Sequence, residues 1–166
     1  ILVNNAGSSN ANHFENIGDE VWEQDLQLKL FGAIRCARAV IPHMKQQGGG
    51  RIINLNMVGA KHPDARQFPT TVSRAAGLAL TKGLSKELAG SNILVNAVAV
   101  GKIKSMQQER RAARSGLSVE EHYAKTGKTI PLGRMGEAEE VANVIAFLGS
   151  DAATLPRGGG LRGRVH

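Results

Sequence analysis

Arg51-Ile52-Ile53-Asn54-Leu55 opens the stretch that decides the fold, and Thr71-Val72-Ser73-Arg74-Ala75-Ala76-Gly77 closes it. The first run is aliphatic and β-branched and reads as a buried strand, while the second starts a helical pattern over 71–89 with Ala75, Leu78, Leu84 and Leu88 recurring on one face. Working outward, Ile1-Leu2-Val3 reads as another buried strand running into a turn, and Ile93 to Val100 as a third. Between the first two strands, Leu26, Leu30, Ala33, Ala37, Ile41 and Met44 step at helical spacing, with Asp19 expected as the N-cap. Gly48-Gly49-Gly50 reads as the turn from that helix into the next strand. Strands alternating with helices of this length imply parallel β-α-β units, so the expected class is α/β. Lys102 to Lys128 turns polar and irregular, and 137–148 reads as a last amphipathic helix with Val141, Val144, Ile145 and Leu148 on one face.

The 166 residues are 42% hydrophobic and 21% charged, which suits one globular domain with a real core. Apolar runs stop well short of the ~18 residues a membrane span needs, and no leader pattern opens the chain; a cytoplasmic protein is expected. The single Cys36 forms no internal disulfide and is expected to pack as a small hydrophobe on its helix. A net charge of +7 invites a nucleic-acid reading. Against it, aromatics make up 4%, zinc-finger spacing is absent, and no basic run exceeds Arg110-Arg111. No nucleic-acid, membrane or metal partner is expected.

Five motifs occur in order: Asn4-Asn5-Ala6-Gly7, Arg51-Ile52-Ile53-Asn54, Ser73-Arg74-Ala75-Ala76-Gly77, Val95-Asn96-Ala97-Val98 and Pro131-Leu132-Gly133-Arg134-Met135-Gly136. Together, at this spacing, they make the chain similar to the short-chain dehydrogenase/reductase family. The resemblance implies the C-terminal part of a doubly wound parallel-sheet, Rossmann-type domain that uses NAD or NADP on a carbonyl or alcohol substrate. It also makes Lys102 to Lys128 a lid over that substrate. It implies homo-oligomers, because the helices from Trp22 to Met44 and Thr71 to Ala89 resemble those that pair between subunits in this family.

In the family, a tyrosine and a lysine four residues later share one helix face, and the lysine lowers the phenol pKa for proton exchange with the substrate oxygen. Aligned on Ser73-Arg74-Ala75-Ala76, the tyrosine position is Thr70 and the lysine position is Arg74. The family serine, thirteen residues before the tyrosine, becomes Met57, and the asparagine that extends the proton relay becomes Lys29. Lys29, Met57, Thr70 and Arg74 are therefore the candidate catalytic positions, all four substituted. His62, Asp64 and Tyr123 are weighed as replacement acids or bases, and Lys61, His62 and Arg66 as loop cations that join Lys29 and Arg74 around an anionic ligand. The cofactor-binding positions implied are Asn5, Ala6, Gly7, Arg74, Gly101, Ile103 and Ser105, with Val100 where the family usually has proline.

The resemblance also implies that a glycine-rich cofactor loop, with three strands and their helices over roughly 80 residues, precedes Ile1. The residue that selects NAD or NADP belongs to that part. Residues 1–154 are thus expected as a partial Rossmann-type domain, and 155–166 as an aberrant tail. Arg162-Gly163-Arg164-Val165 can be encoded by codons that, read one base later, spell the family's closing Val-Asp-Gly, so a frameshift is expected there. Three readings stay open: an oxidoreductase with substituted catalytic residues, a nucleotide- or ligand-binding protein that has lost catalysis, and a truncated product without a function of its own.

Overall fold

A computed structural model describes residues 1–9 and 11–153; the tail expected at 155–166, and its proposed frameshift, lie outside the described residues. Three parallel strands, β1 (Leu2–Asn4), β2 (Gly50–Met57) and β3 (Ile93–Val100), form a sheet in the order β1-β2-β3. Leu2 lies beside Ile52, and Ile52 beside Val95, so these positions share one face of the sheet. Helices α2 (Gly32–Gln46) and α3 (Thr70–Glu87) cover that face, and α1 (Asp19–Leu26) and a π-helical turn (Gln27–Phe31) pack against α3. The core there joins Ala37, Met44, Ile52, Leu88, Ile93 and Val95, with Leu2, Val40, Ile41 and Leu84 against them. The opposite face carries α6 (Ala138–Gly149), whose Gly149 lies against Ile1 and the fully buried Ile53.

The strand and helix expectations hold, with local corrections. Asp19 is the first helical residue and Gly18 is the cap, so the carboxylate acts on the helix dipole instead of capping an N–H. Cys36 is exposed, one position before the buried Ala37, and so is not packed as a hydrophobe. Ala75 is likewise exposed, because α3 turns Thr70, Thr71, Ser73 and Thr81 inward instead. Gly48 and Gly49 make the turn with φ of 85° and 156°, and the Gly49 N–H donates to Met44 O at 2.9 Å to close the end of α2.

The polar segment expected to be irregular folds as two helices, α4 (Met106–Arg114) and α5 (Val119–Gly127). Ser118 and Glu121 close a reciprocal capping box at the start of α5, and α4 buries Gln108 and Ala112 against it. Among the described residues no helix is long and apolar enough to cross a membrane, and no group of three or more His, Cys, Asp or Glu side chains is placed to hold a metal ion.

Candidate active site

The face of the sheet that is apolar at Leu2, Ile52 and Val95 becomes amide-bearing towards the C-terminal ends of the strands. Asn4 Nδ2 donates to Asn54 Oδ1 at 2.8 Å, and Asn54 Nδ2 donates to Thr81 Oγ1 at 2.8 Å. Asn56 Nδ2 reaches Arg74 O at 2.9 Å and so ties β2 to the second turn of α3. Each buried amide has a partner, which is what makes its burial tolerable. The crevice outside the C-terminal ends of parallel strands is where open α/β sheets bind ligands. Here it holds a cleft of about 200 Å³ floored by these asparagines and walled by Lys29, Ser73 and Arg74.

Lys29 comes from the π-helical turn, whose wider winding inserts a residue between α1 and α2. Its side chain is 1% exposed and Nζ is bound on two sides. One partner is Asp25 Oδ1, four residues earlier on the same helix face, and the other is Thr70 Oγ1 at 2.9 Å. Asp25 is itself 1% exposed, and its second oxygen accepts a hydrogen bond from Ser73 Oγ at 2.6 Å. Burial holds the Lys29 ammonium below its ordinary pKa; the Asp25 hydrogen bond and charge oppose that shift, and the Arg74 charge adds to it.

Thr70 is fixed from the other direction. Pro69 precedes it at the cap of α3, and Asn12 N–H donates to Phe68 O at 3.1 Å, which draws the chain after β1 onto this loop. Phe14, Trp22 and Phe68 stack edge to face and tilted, with centroids 5.7 to 6.3 Å apart. The start of α1 is thereby clamped to the segment that delivers Thr70.

Arg74, one turn beyond Thr70, donates from Nη1 to Leu55 O at 2.6 Å. Its Nη2 lies where a Cβ on Gly7 would stand, at 2.5 Å, so glycine there is what admits the guanidinium to the end of β1. Burial lowers the Arg74 pKa from its ordinary value, and the Asp25 charge opposes the shift.

The structure therefore brings Lys29, Thr70 and Arg74 together around Asp25, a residue that the sequence reading missed. Met57 makes no hydrogen bond through its thioether; its Cε lies beside Gly59 and it does not line the cleft. Asn5, Ala6 and Gly7 are exposed just past β1. Gly101, Ile103 and Ser105 follow β3, where Ile103 pairs with Gly136 and Ser105 precedes α4. Arg111 on α4 reaches Ser9 Oγ at 3.5 Å, which links the chain after β1 to the helix that follows β3. Lys61, His62 and Arg66 are exposed and do not line the cleft, and Asp64 is held by Gln67 Nε2 at 3.5 Å. Tyr123 is bound to Glu109 at 3.4 Å, with its phenol pKa pushed up by burial and by Glu109.

Comparison with known proteins agrees with this architecture. The chain is 36% identical over 161 residues to a 3-oxoacyl-[acyl-carrier-protein] reductase of Thermotoga maritima, covering 95% of this chain and 61% of the relative. To a 3alpha-hydroxysteroid dehydrogenase of Mediterraneibacter gnavus it is 37% identical over 158 residues, covering 95% and 60%. The chain thus spans about 60% of the length of these curated relatives. Among solved structures, an NADPH-bound short chain oxidoreductase from Pseudomonas aeruginosa PAO1, described as containing an atypical catalytic center, matches with a TM-score of 0.83 and 32% identity, over 92% of this chain and 59% of that one. L-sorbose reductase from Gluconobacter frateurii, complexed with NADPH and L-sorbose, matches with a TM-score of 0.87 and 28% identity, over 99% and 66%. With the family model described as enoyl-(acyl carrier protein) reductase also matching residues 1–161, the chain belongs to the short-chain dehydrogenase/reductase family.

Proposed function

We propose that this chain carries the proton-transfer centre of an NAD(P)H-dependent carbonyl reductase in which Lys29, acting through Thr70, stands in for the family's tyrosine. The observation that carries this reading is the 2.9 Å hydrogen bond from Lys29 Nζ to Thr70 Oγ1. A threonine hydroxyl alone is a poor acid near neutral pH, but a hydroxyl that accepts a proton from an ammonium can release its own in the same step. Burial of Lys29 makes the ammonium the stronger acid that this step requires.

The residues at the cleft suit a dinucleotide. Gly7 leaves the end of β1 open, and Arg74 presents a cationic fork with one hydrogen bond made, so its remaining N–H groups are available to ribose hydroxyls. Two matching structures hold NADPH. When bound, the nicotinamide supplies a hydride to the carbonyl carbon. Thr70 then gives its proton to the carbonyl oxygen, Lys29 reprotonates Thr70, and the neutral amine recovers a proton from water through the cleft. Oxidation of an alcohol runs the same path backwards.

Homo-oligomerisation in the cytoplasm completes the reading. Leu28, Phe31 and Val72 on the helices expected to pair are 41 to 43% exposed, as an unpaired helix face would be.

The test uses the complete gene product, with NADPH binding followed by fluorescence and turnover by NADPH consumption on a panel of ketones and aldehydes. Thr70→Val is expected to keep NADPH affinity and lose turnover by about 100-fold or more, with Thr70→Ser retaining most of it. A Thr70→Val variant that turns over like the parent would end this mechanism. NADPH binding without turnover on any substrate would instead assign the chain a binding role.

A further inference from the structure

Asp25 stands outside every family motif, yet both of its oxygens are bonded within the centre. Its carboxylate spans two elements: Oδ1 takes Lys29 Nζ from the π-helical turn and Oδ2 takes Ser73 Oγ from α3. Ser73 lies between Thr70 and Arg74 in sequence, so one carboxylate sets the ammonium on one side and the helix turn carrying its acceptor on the other. A carboxylate 1% exposed is costly to bury, and it is kept here with both oxygens bonded. Two cations, Lys29 and Arg74, share the cleft wall, and Asp25 is the charge that opposes their repulsion.

We propose that Asp25 is a positioning residue, holding Lys29 as an ammonium with one N–H directed at Thr70 Oγ1. The inference rests on the Lys29–Thr70 reading of the mechanism. The geometry is specific about how it operates. The carboxylate takes one of the three ammonium protons and Thr70 another, which leaves Thr70's own proton free for a substrate oxygen. With the carboxylate replaced by an amide, the ammonium loses its ion-pair partner while burial and Arg74 still disfavour its charge. It then becomes a neutral amine at lower pH and no longer has a proton to pass to Thr70. The charged groups facing Lys29 are Asp25 from α1 and Arg74 from α3; β2 contributes Asn54 and Asn56 to the same wall.

The test reads Lys29 directly and needs no turnover. In the complete gene product labelled with ¹³Cε-lysine, the Lys29 resonance is assigned by its loss in Lys29→Arg and titrated with pH. Asp25→Asn is expected to lower the Lys29 pKa by about 1 to 3 units. It is also expected to reduce kcat at least tenfold with NADPH affinity unchanged, and Asp25→Glu to recover part of both. An unchanged Lys29 titration in folded Asp25→Asn, or an Asp25→Glu variant no closer to the parent than Asp25→Asn, overturns the proposal. If Asp25→Asn does not fold, the paired Asp25→Asn/Lys29→Met variant decides: recovery of folding shows that the carboxylate answers the lysine charge, and failure to recover overturns the proposal. Should Thr70→Val turn over normally while the Lys29 titration still responds to Asp25, the mechanism is wrong and the placement of the ammonium by Asp25 stands.

Discussion

Lys29 and Asp25 are a buried ion pair, and such pairs have a known asymmetry. Removing one partner strands a charge and costs about 3 to 5 kcal/mol, whereas replacing both with well-packed apolar groups is often neutral or stabilising. Lys29→Met should therefore lower stability in urea unfolding by that amount, and Asp25→Leu/Lys29→Met should recover most of it. A pH dependence follows from the lowered Lys29 pKa. Between that lowered value and the ordinary 10.5, the unfolded chain binds more protons than the folded one, so stability rises with pH across this window. The contribution is complete above 10.5 and is lost as pH falls through the folded value. Urea midpoints measured at successive alkaline pH values should climb accordingly, and the climb should begin at lower pH in Asp25→Asn. At Gly7, alanine would place a Cβ 2.5 Å from Arg74 Nη2. Displacing the guanidinium should weaken NADPH binding about tenfold or more, the worth of one charged hydrogen bond. Spacing from the Ser73-Arg74-Ala75-Ala76 motif made Thr70 and Arg74 legible in the sequence, and counting from Trp22 and Gly32 did the same for Lys29. Asp25 was not, because an acid in Trp22-Glu23-Gln24-Asp25 reads as part of a solvated face. Its i, i+4 relation to Lys29 was the available signal.

At the scale of elements, strand positions were legible because aliphatic, β-branched runs leave little alternative, and β3 occupies the expected Ile93 to Val100. The π-helical turn at Gln27–Phe31 was not legible, since the apolar spacing through Leu26, Leu30 and Ala33 tolerates one inserted residue without losing its inward face. Helices α4 and α5 were missed on account of their polarity, although Ser118-Val119-Glu120-Glu121 carries the capping-box pattern that starts α5. The turn before α6 is fastened by charge instead. Arg134 forms a bidentate pair with Glu140, both bonds at 2.8 Å, while the Glu137 N–H donates to Glu140 Oε2 at 2.7 Å. The Arg134 hydrogen bond, followed by the Glu137 N–H, holds the Glu140 carboxyl down to about 2. Arg134→Gln should let Glu140 titrate nearer the ordinary 4.5, read by carboxyl NMR. The stabilisation that Glu140 provides in the parent is present above 4.5 and is lost as pH falls towards about 2.

Across the whole molecule, the two faces of the sheet are unequally covered. Leu2 and Asn4 face α2 and α3, while Ile1 and Val3 share the face of Ile53, which α6 covers only in part. Ile1 is 75% exposed, and Val3, Val144 and Phe147 are 39 to 49% exposed, so apolar residues of β1 and α6 line one side of the molecule. Among the described residues β1 pairs with β2 alone, so this apolar strip adjoins an open strand edge whose N–H and C=O groups can accept a further strand. Apolar surface beside an unpaired edge is the combination that drives self-association at micromolar to millimolar concentrations. The 166-residue chain expressed by itself should therefore form concentration-dependent oligomers in light scattering and bind a hydrophobic dye. Val144→Lys/Phe147→Glu should reduce both signals, because it charges the α6 half of the strip without touching the centre around Lys29. A monodisperse monomer over that concentration range would show that the edge and strip are harmless. Reduction of both signals by Leu28→Lys/Val72→Lys, and not by the α6 variant, would move the association to the α1–α3 face, where pairing of whole subunits is expected.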